Sequence, residues 1–232
     1  MIRQIIFFTL LASPVLGQNW ITEPFNDAKQ VLLTNNAKFK SGGTLKGASA
    51  FLMDLDGKTV AVTVKHLLGE DGGVTPTVLP SKLDKDVITW ELYSRQQSKD
   101  TLHFDKVITK NDDPKIDIIA FTIKEKATNY LKLKPRFTVP MRNEKFYLIG
   151  CPYDEKNCKQ MKYELPFNFY SKADEYSPVP TLGLSMWDYE KVDFSGFSGA
   201  PVVDKNGEVI GVLTGKSGLV FTIIPVSVLK TR

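Results

Sequence analysis

Apolar and polar residues alternate along this chain in short bursts. Segments of four to eight residues rich in Val, Ile, Thr and aromatic side chains recur: ASAFLMDL, TVAVTV, VITWELYS, LHFDKVIT, DIIAFTIK, KFYLIG, YELPFNFY, TLGLSMW, APVVD, EVIGVLTG and LVFTIIP. Between them stand turn formers such as DLDGK, EDGG, NDDP and DKNGE. A period of two bounded by Gly, Asn, Asp and Pro marks half-buried strands, and many such strands at close spacing build a sandwich or a barrel. The expected fold class is therefore all-β. The clearest hairpin is PVVDKNGEVIGV, where Asn206-Gly207 is expected to supply the left-handed backbone of a tight reversal. Helical periodicity is weak; FNDAKQVLL from Phe25 and VSVLK near the C-terminus are the two candidates. No repeat at a period of about 20–50 residues is visible.

A break falls at LKLKPRFTVPMRN (Leu131 to Asn143), where Pro135 and Pro140 interrupt the pattern and basic residues cluster. It is expected to be a solvated linker between residues 18–134 and 135–232, each the size of a small β-barrel. Residues 1–17 stand apart. A cationic start through Arg3, an apolar run from Ile5 to Ala12, then Pro14 and the small residues Val15 and Gly17 form a signal-peptide pattern with cleavage after Gly17. The alternative is a membrane anchor, but the run is short of the ~20 residues a span needs. The expected location is secreted or periplasmic, with no stable membrane association once the leader is removed.

Composition narrows the function classes. The 232 residues carry Lys+Arg 30 against Asp+Glu 26, a net charge of +4 without any basic block, so no nucleic-acid partner is expected. Two histidines and two cysteines exclude a multi-zinc scaffold or a disulfide-dense mini-protein. In an oxidising compartment Cys151 and Cys158, enclosing PYDEKN, are expected to form a disulfide pinning a surface loop; two independent thiols are the alternative. Neither has the neighbours a metal site requires.

The most informative string is DFSGFSGAPVVD, with Gly196-x-Ser198-Gly199-x-Pro201 just ahead of the hairpin. A serine nucleophile needs a sharp turn that exposes its hydroxyl and leaves backbone N–H groups unpaired. Gly196 and Gly199 permit such a backbone, and the N–H groups of Gly196 and Ser198 would form an oxyanion hole. The bland alternative is a glycine-rich turn before a strand. A serine also needs a base. His66 ends the apolar stretch TVAVTVKHLL, whereas His103 lies mid-strand in TLHFDKV and looks structural. The base in turn needs a carboxylate to fix its tautomer. Asp117 heads the apolar strand in DDPKIDIIAFTI, where an acid is costly without a partner; Asp112 and Asp113 sit in a turn, and Asp105 on a polar strand face.

These three blocks resemble the trypsin-like serine peptidases. VTVKHLLG is similar to their TAAH block, DDPKIDIIAFTIK to their Asp block, and GFSGAPVVDKNGEVIGVLTG to their Ser block, in the same order along the chain. DPKIDIIA, GEVIGV and FTIIP are most similar to the HtrA branch, and the resemblance extends from about Gly43 to Val228. It implies two six-stranded antiparallel β-barrels of the chymotrypsin type, with the active site in the cleft between them. The spacings of 51 and 81 residues suit this arrangement, which implies the histidine and aspartate on the first barrel and the serine on the second. The resemblance assigns Ser198 as nucleophile, His66 as general base then acid, and Asp117 as the orienting carboxylate. It also implies that the N–H groups of Gly196 and Ser198 donate to the oxyanion and that Val192, Leu213, Thr214 and Gly215 line the pocket for the residue before the scissile bond. The implied reaction cleaves polypeptides through an acyl-enzyme, with no metal or organic cofactor.

Four features depart from that family. Phe197 stands where digestive members carry Asp and HtrA members usually Asn, and an Ile-Val-Gly-Gly start is lacking, so activation by a newly made N-terminus is not expected. Ala200 replaces a common Gly. Lys65 replaces Ala before the histidine; pointing inward it would depress the imidazole's pKa, but it is expected to face solvent. A PDZ domain after Val228 is not expected, so trimer assembly is not carried over. Among rivals, an α/β-hydrolase needs Gly at the position of Ala200 and a histidine after Ser198, and has neither. A cysteine hydrolase would need Cys151 or Cys158 free beside His66. An inactive binding protein of the same fold is the remaining alternative, with Phe197 turning the Gly196 peptide and collapsing the oxyanion hole.

Overall fold

The period-two runs become strands, and the strands close into two barrels. The computed structural model describes residues 20–21, 30–96, 100–152, 159–174 and 178–230. The expected leader (1–17), Cys158 and the start of the Phe25 helix candidate lie outside the described residues.

The first barrel is built from β1 (Leu33–Phe39), β2 (Thr44–Leu55), β3 (Lys58–Thr63), β4 (Val87–Tyr93), β5 (Leu102–Val107) and β6 (Ile119–Ile123). They pair antiparallel in the order β1-β4-β5-β6-β3-β2, and β2 returns to β1 to complete the ring. A two-residue strand, β7 (Lys132–Leu133), runs parallel to β2 on its outside. The second barrel closes β8 (Lys145–Gly150), β9 (Met161–Ser171), β10 (Thr181–Ser185), β11 (Pro201–Val203), β12 (Val209–Ser217) and β13 (Val220–Pro225) in the order β10-β13-β12-β11-β8-β9. Closure leaves no open sheet edge within either ring. Inward side chains fill both. Trp90 packs on Phe39, Phe104 and Phe121 in the first, its centroid 4.6 Å from that of Phe121. Phe194, Phe197, Phe221 and Tyr163 stack edge to face in the second.

One strand was not anticipated, and two local expectations are corrected. Strand β1, LTNNAKF, carries two adjacent asparagines that break the apolar alternation and hide it from a pattern search. Asn35 is nonetheless fully buried: its Oδ1 accepts the Trp90 indole N–H at 3.1 Å, and its Nδ2 donates to the Ser49 carbonyl at 3.2 Å. In the β11–β12 hairpin only Gly207 has a positive φ, +77°, and Asn206 does not. The Gly207 N–H donates to the Asp204 carbonyl at 3.0 Å, so a turn of ordinary hand is followed by one left-handed glycine. The VSVLK segment forms a single 3₁₀ turn, Val226–Leu229.

The basic linker is not uniformly solvated either. Lys132, Lys134 and Arg142 face water, but the Arg136 guanidinium is largely buried. It donates to both carboxylate oxygens of Glu144 and, at 3.1 Å, to Oδ2 of the buried Asp204. Asp204 Oδ1 accepts the N–H groups of Asn206 and Glu208 at 2.8 and 3.0 Å. One guanidinium therefore ties the inter-barrel linker to a second-barrel hairpin.

Arg136→Ala is expected to cost about 3 kcal/mol in a denaturant melt, because it leaves two carboxylates without their counter-charge in partly dry surroundings. The hydrogen bond from Arg136 holds the Glu144 carboxyl below its ordinary value of 4.5. Its stabilisation is therefore complete above that value and is lost as the pH falls through the depressed one. Glu144→Gln should flatten this acid limb when Tm is measured against pH.

Candidate active site

Strand β3 ends at Thr63, and the chain then winds into a 3₁₀ turn, Lys65–Leu68, that lifts His66 off the sheet. Asp117 lies two residues before β6, the neighbour of β3, and the register pairs Thr63 with Ile119. Barrel pairing thus brings together two residues 51 positions apart. Asp117 Oδ1 accepts the His66 backbone N–H at 2.8 Å, and Oδ2 meets the ring Nδ1 at 2.7 Å. A carboxylate can only accept, so this contact places the proton on Nδ1 and leaves Nε2 with its lone pair. The side chains are 23% and 19% exposed, shielded from bulk water but not sealed from it. Beside them lies a cleft of about 530 Å³, with His66, Gly69, Thr77, Leu79 and Pro114 among its lining.

Lys65 does not face solvent as expected; it is 8% exposed. Its ammonium donates to the backbone carbonyls of Asn111 (3.1 Å) and Asp113. Those carbonyls belong to the loop that leads into Asp117, so Lys65 fastens the carboxylate's loop to the histidine's turn. An imidazole beside an acid is not in itself distinctive here. His103 makes the same double contact with Glu125, at 2.7 Å through its N–H and 2.6 Å through Nδ1. Burial opposes the charge on Glu125, but those bonds prevail and hold its carboxyl below the usual range.

The glycine-rich turn sets the first pair apart. Gly196 and Gly199 have φ of +86° and +89°, as the sequence requires. The Gly199 N–H donates to the Leu213 carbonyl at 2.9 Å, the Leu213 N–H to Ala200 at 3.0 Å, and the Ala200 N–H to Phe197 at 2.7 Å. The turn is thereby fixed to β12. It also abuts the first barrel: a Cβ built on Gly199 would lie 2.0 Å from the Ser49 carbonyl oxygen and 2.5 Å from Thr63 Oγ1. Thr63 stands three residues ahead of His66, so the Ser198 turn docks against the strand that presents the imidazole. Among the described residues, the N–H groups of Gly196 and Ser198 donate to no protein acceptor.

Phe197 is accommodated in the second barrel's core. Its side chain is 0% exposed and points into the second barrel, with ring centroids 5.0 Å from Phe194 and 5.6 Å from Tyr163. Gly150 makes the space, since a Cβ there would lie 1.9 Å from the Phe197 ring. Upstream, Asp193 Oδ1 accepts the Ser195 N–H and hydroxyl at 2.9 and 2.8 Å, which lowers the Asp193 carboxyl below its ordinary value.

The residues expected to line a substrate pocket sit close by in the chain. Val192 is half-buried against the second-barrel core, Leu213 is buried within it, and the Thr214 hydroxyl donates to the Thr222 carbonyl at 3.2 Å. A Cβ on Gly215 would meet open space. Cys151 is buried at the end of β8. Among the described residues no cluster of three His, Cys, Asp or Glu could hold a metal, and no helix is long and apolar enough to cross a membrane. Two residues of the site were not anticipated. Ser49 and Asn35 are polar residues in apolar strands, and that misfit was the only signal of a special role.

No model of a protein family matches the sequence, and no curated protein matches it. Solved structures do. The active form of the Rv3671c protease from M. tuberculosis superposes with a TM-score of 0.59 at 14% identity, covering 100% of this chain and 92% of that one. Its inactive form gives 0.55 at 13%, covering 94% and 93%. The thermostable serine protease AL20 from an extremophilic microorganism gives 0.56 at 14%, covering 86% and 92%. The chain has the chymotrypsin-like double-barrel fold of these proteins.

The fit of Phe197 against Gly150 is testable. Gly150→Ala should lower stability by about 2 kcal/mol, as overpacking in a closed core does; thermal unfolding monitored by near-UV circular dichroism checks it.

Proposed function

We propose that this protein is an exported serine endopeptidase, of the trypsin-like kind and nearest the HtrA-type motifs, that cleaves polypeptides by acyl transfer. The observation that carries this reading is the Asp117-oriented His66 imidazole, together with a Gly196-x-Ser198 turn that has unpaired amides and packs on Thr63, three residues ahead of His66. The fold shared with serine proteases supports it.

In this mechanism Ser198 Oγ attacks the scissile carbonyl while His66 Nε2 takes its proton. Asp117 keeps Nδ1 protonated and stabilises the imidazolium that forms. The carbonyl oxygen gains charge and is received by the N–H groups of Gly196 and Ser198. Protonated His66 then passes its proton to the departing amine, and water repeats the sequence on the acyl-enzyme. Val192, at the base of the pocket, supplies no carboxylate to select Lys or Arg. With Thr214 and Gly215 beside it, the pocket takes a small or medium apolar side chain.

Export rests on the leader pattern of residues 1–17, so the mature chain begins at Gln18. In that compartment Cys151 pairs with Cys158.

A fluorophosphonate probe should label the mature wild type and leave Ser198→Ala unlabelled. Casein turnover should fall by about 10⁴-fold or more in Ser198→Ala and His66→Ala, because such groups act as a unit. Equal labelling of Ser198→Ala would remove the assignment, and an unlabelled, inert wild type would indicate a binding protein of the same fold. Intact mass without reductant should be two hydrogens below the dithiol mass; two free thiols would defeat the pairing.

A further inference from the structure

The N–H groups assigned to the oxyanion belong to the 195–196 and 197–198 peptides, and their direction depends on the peptides between and after them. The 196–197 peptide is held at its N–H, where Phe197 donates to the Phe194 carbonyl at 3.1 Å. Its carbonyl, on Gly196, accepts the Ser49 hydroxyl at 2.9 Å. The 198–199 peptide is likewise held at both ends, by the Leu213 carbonyl at 2.9 Å and by the Ser49 N–H, which donates to the Ser198 carbonyl at 2.8 Å. Ser49 thus grips two alternate peptides of the turn, and the two amides left over point elsewhere.

Ser49 is itself held from behind. Between Thr34 and Asn35 the β1–β2 register shifts from Ser49 to Gly47, so Ala48 is an extra residue, with φ of +56°. Such a bulge re-aims the strand at that point. The Ser49 carbonyl then accepts both the Thr63 hydroxyl, at 2.7 Å, and the Asn35 amide, at 3.2 Å. Asn35 is locked in turn by the Trp90 indole N–H at 3.1 Å. Ser49 is 2% exposed, so its hydroxyl has no water to exchange for the Gly196 carbonyl.

We infer that Ser49 is a positioning residue for the oxyanion hole, with Asn35 and Thr63 behind it, so that the first barrel sets the geometry of the second barrel's nucleophile turn. This rests on the peptidase reading. Ser49 touches neither substrate nor reacting atoms in this scheme; it acts by orienting the Gly196 peptide. Loss of its hydroxyl should weaken the transition state and spare the ground state, because the oxyanion exists only in the former.

The test measures steady-state hydrolysis of a peptide substrate by the full mature chain, with Tm measured in parallel. Ser49→Ala is expected to lower kcat about tenfold or more, with KM within about twofold of wild type and labelling of Ser198 slowed in proportion. A peptide boronate, which mimics the tetrahedral species, should lose affinity in step with kcat. Ser49→Cys, of nearly equal size with a weaker donor, should lie between the two and serves as the deciding variant if Ser49→Ala does not fold. Unchanged kcat in a folded Ser49 variant overturns the inference while the labelled wild type keeps the peptidase reading intact. A rise in KM with kcat preserved also overturns it. An inert, unlabelled wild type overturns both.

Discussion

The contact on which the rest of the structure depends is the seam where the Ser198 turn lies against β2. There the Ser49 N–H meets the Ser198 carbonyl at 2.8 Å, and the Gly199 backbone approaches Ser49 and Thr63 so closely that no side chain fits. Each barrel satisfies most of its own backbone by closing on itself. Apolar packing joins them, with Ile149, Val203, Val212 and Ile224 of the second barrel in one core cluster with the first, and polar contacts add to it. Gln160 accepts the Val31 and Leu32 N–H groups and Arg95 donates to the Pro152 carbonyl, while the Ser49 contacts fall at the Ser198 turn. Arg136 ties the linker to the second barrel through Glu144 and Asp204.

Much of the fold was legible because strands burying one face must alternate. Eleven segments singled out by that alternation overlap observed strands, from β2 through β6 and from β8 through β13. The elements that escaped did so for physical reasons. Strand β1 carries Asn35, whose inward amide is solvated by Trp90 and Ser49, so a polar residue sits where the period demands an apolar one. Strand β7 is only two residues long and has no period. The reversal at Asn206-Gly207 uses one left-handed residue where two were expected, since local propensity does not distinguish between hairpin turns that both favour glycine.

The candidate site was legible in a different way. His66, Asp117 and the Gly196–Pro201 string were found by chemistry, a base, an acid and a permissive turn, and the proximity of His66 and Asp117 then follows from β3–β6 pairing. The supporting residues were harder to read because most of their partners are backbone atoms, so that a polar residue out of place in a strand was the most the sequence showed. Lys65 seeks the carbonyls of Asn111 and Asp113, and Ser49 those of Gly196 and, through its N–H, Ser198. A lysine in an apolar segment reads as exposed until the loop that needs it is seen.

Phe197 anchors the turn by shape and not by charge. The family pattern places a carboxylate or an amide at this position; here an aromatic ring fills a slot between Tyr163, Phe194 and Gly150. Dispersion and apolar burial carry no titratable group and are not screened by ions. This anchor of the turn therefore neither titrates nor needs a charged partner. The turn is held from two sides, by the second barrel's aromatic core through Phe197 and by the first barrel through Ser49.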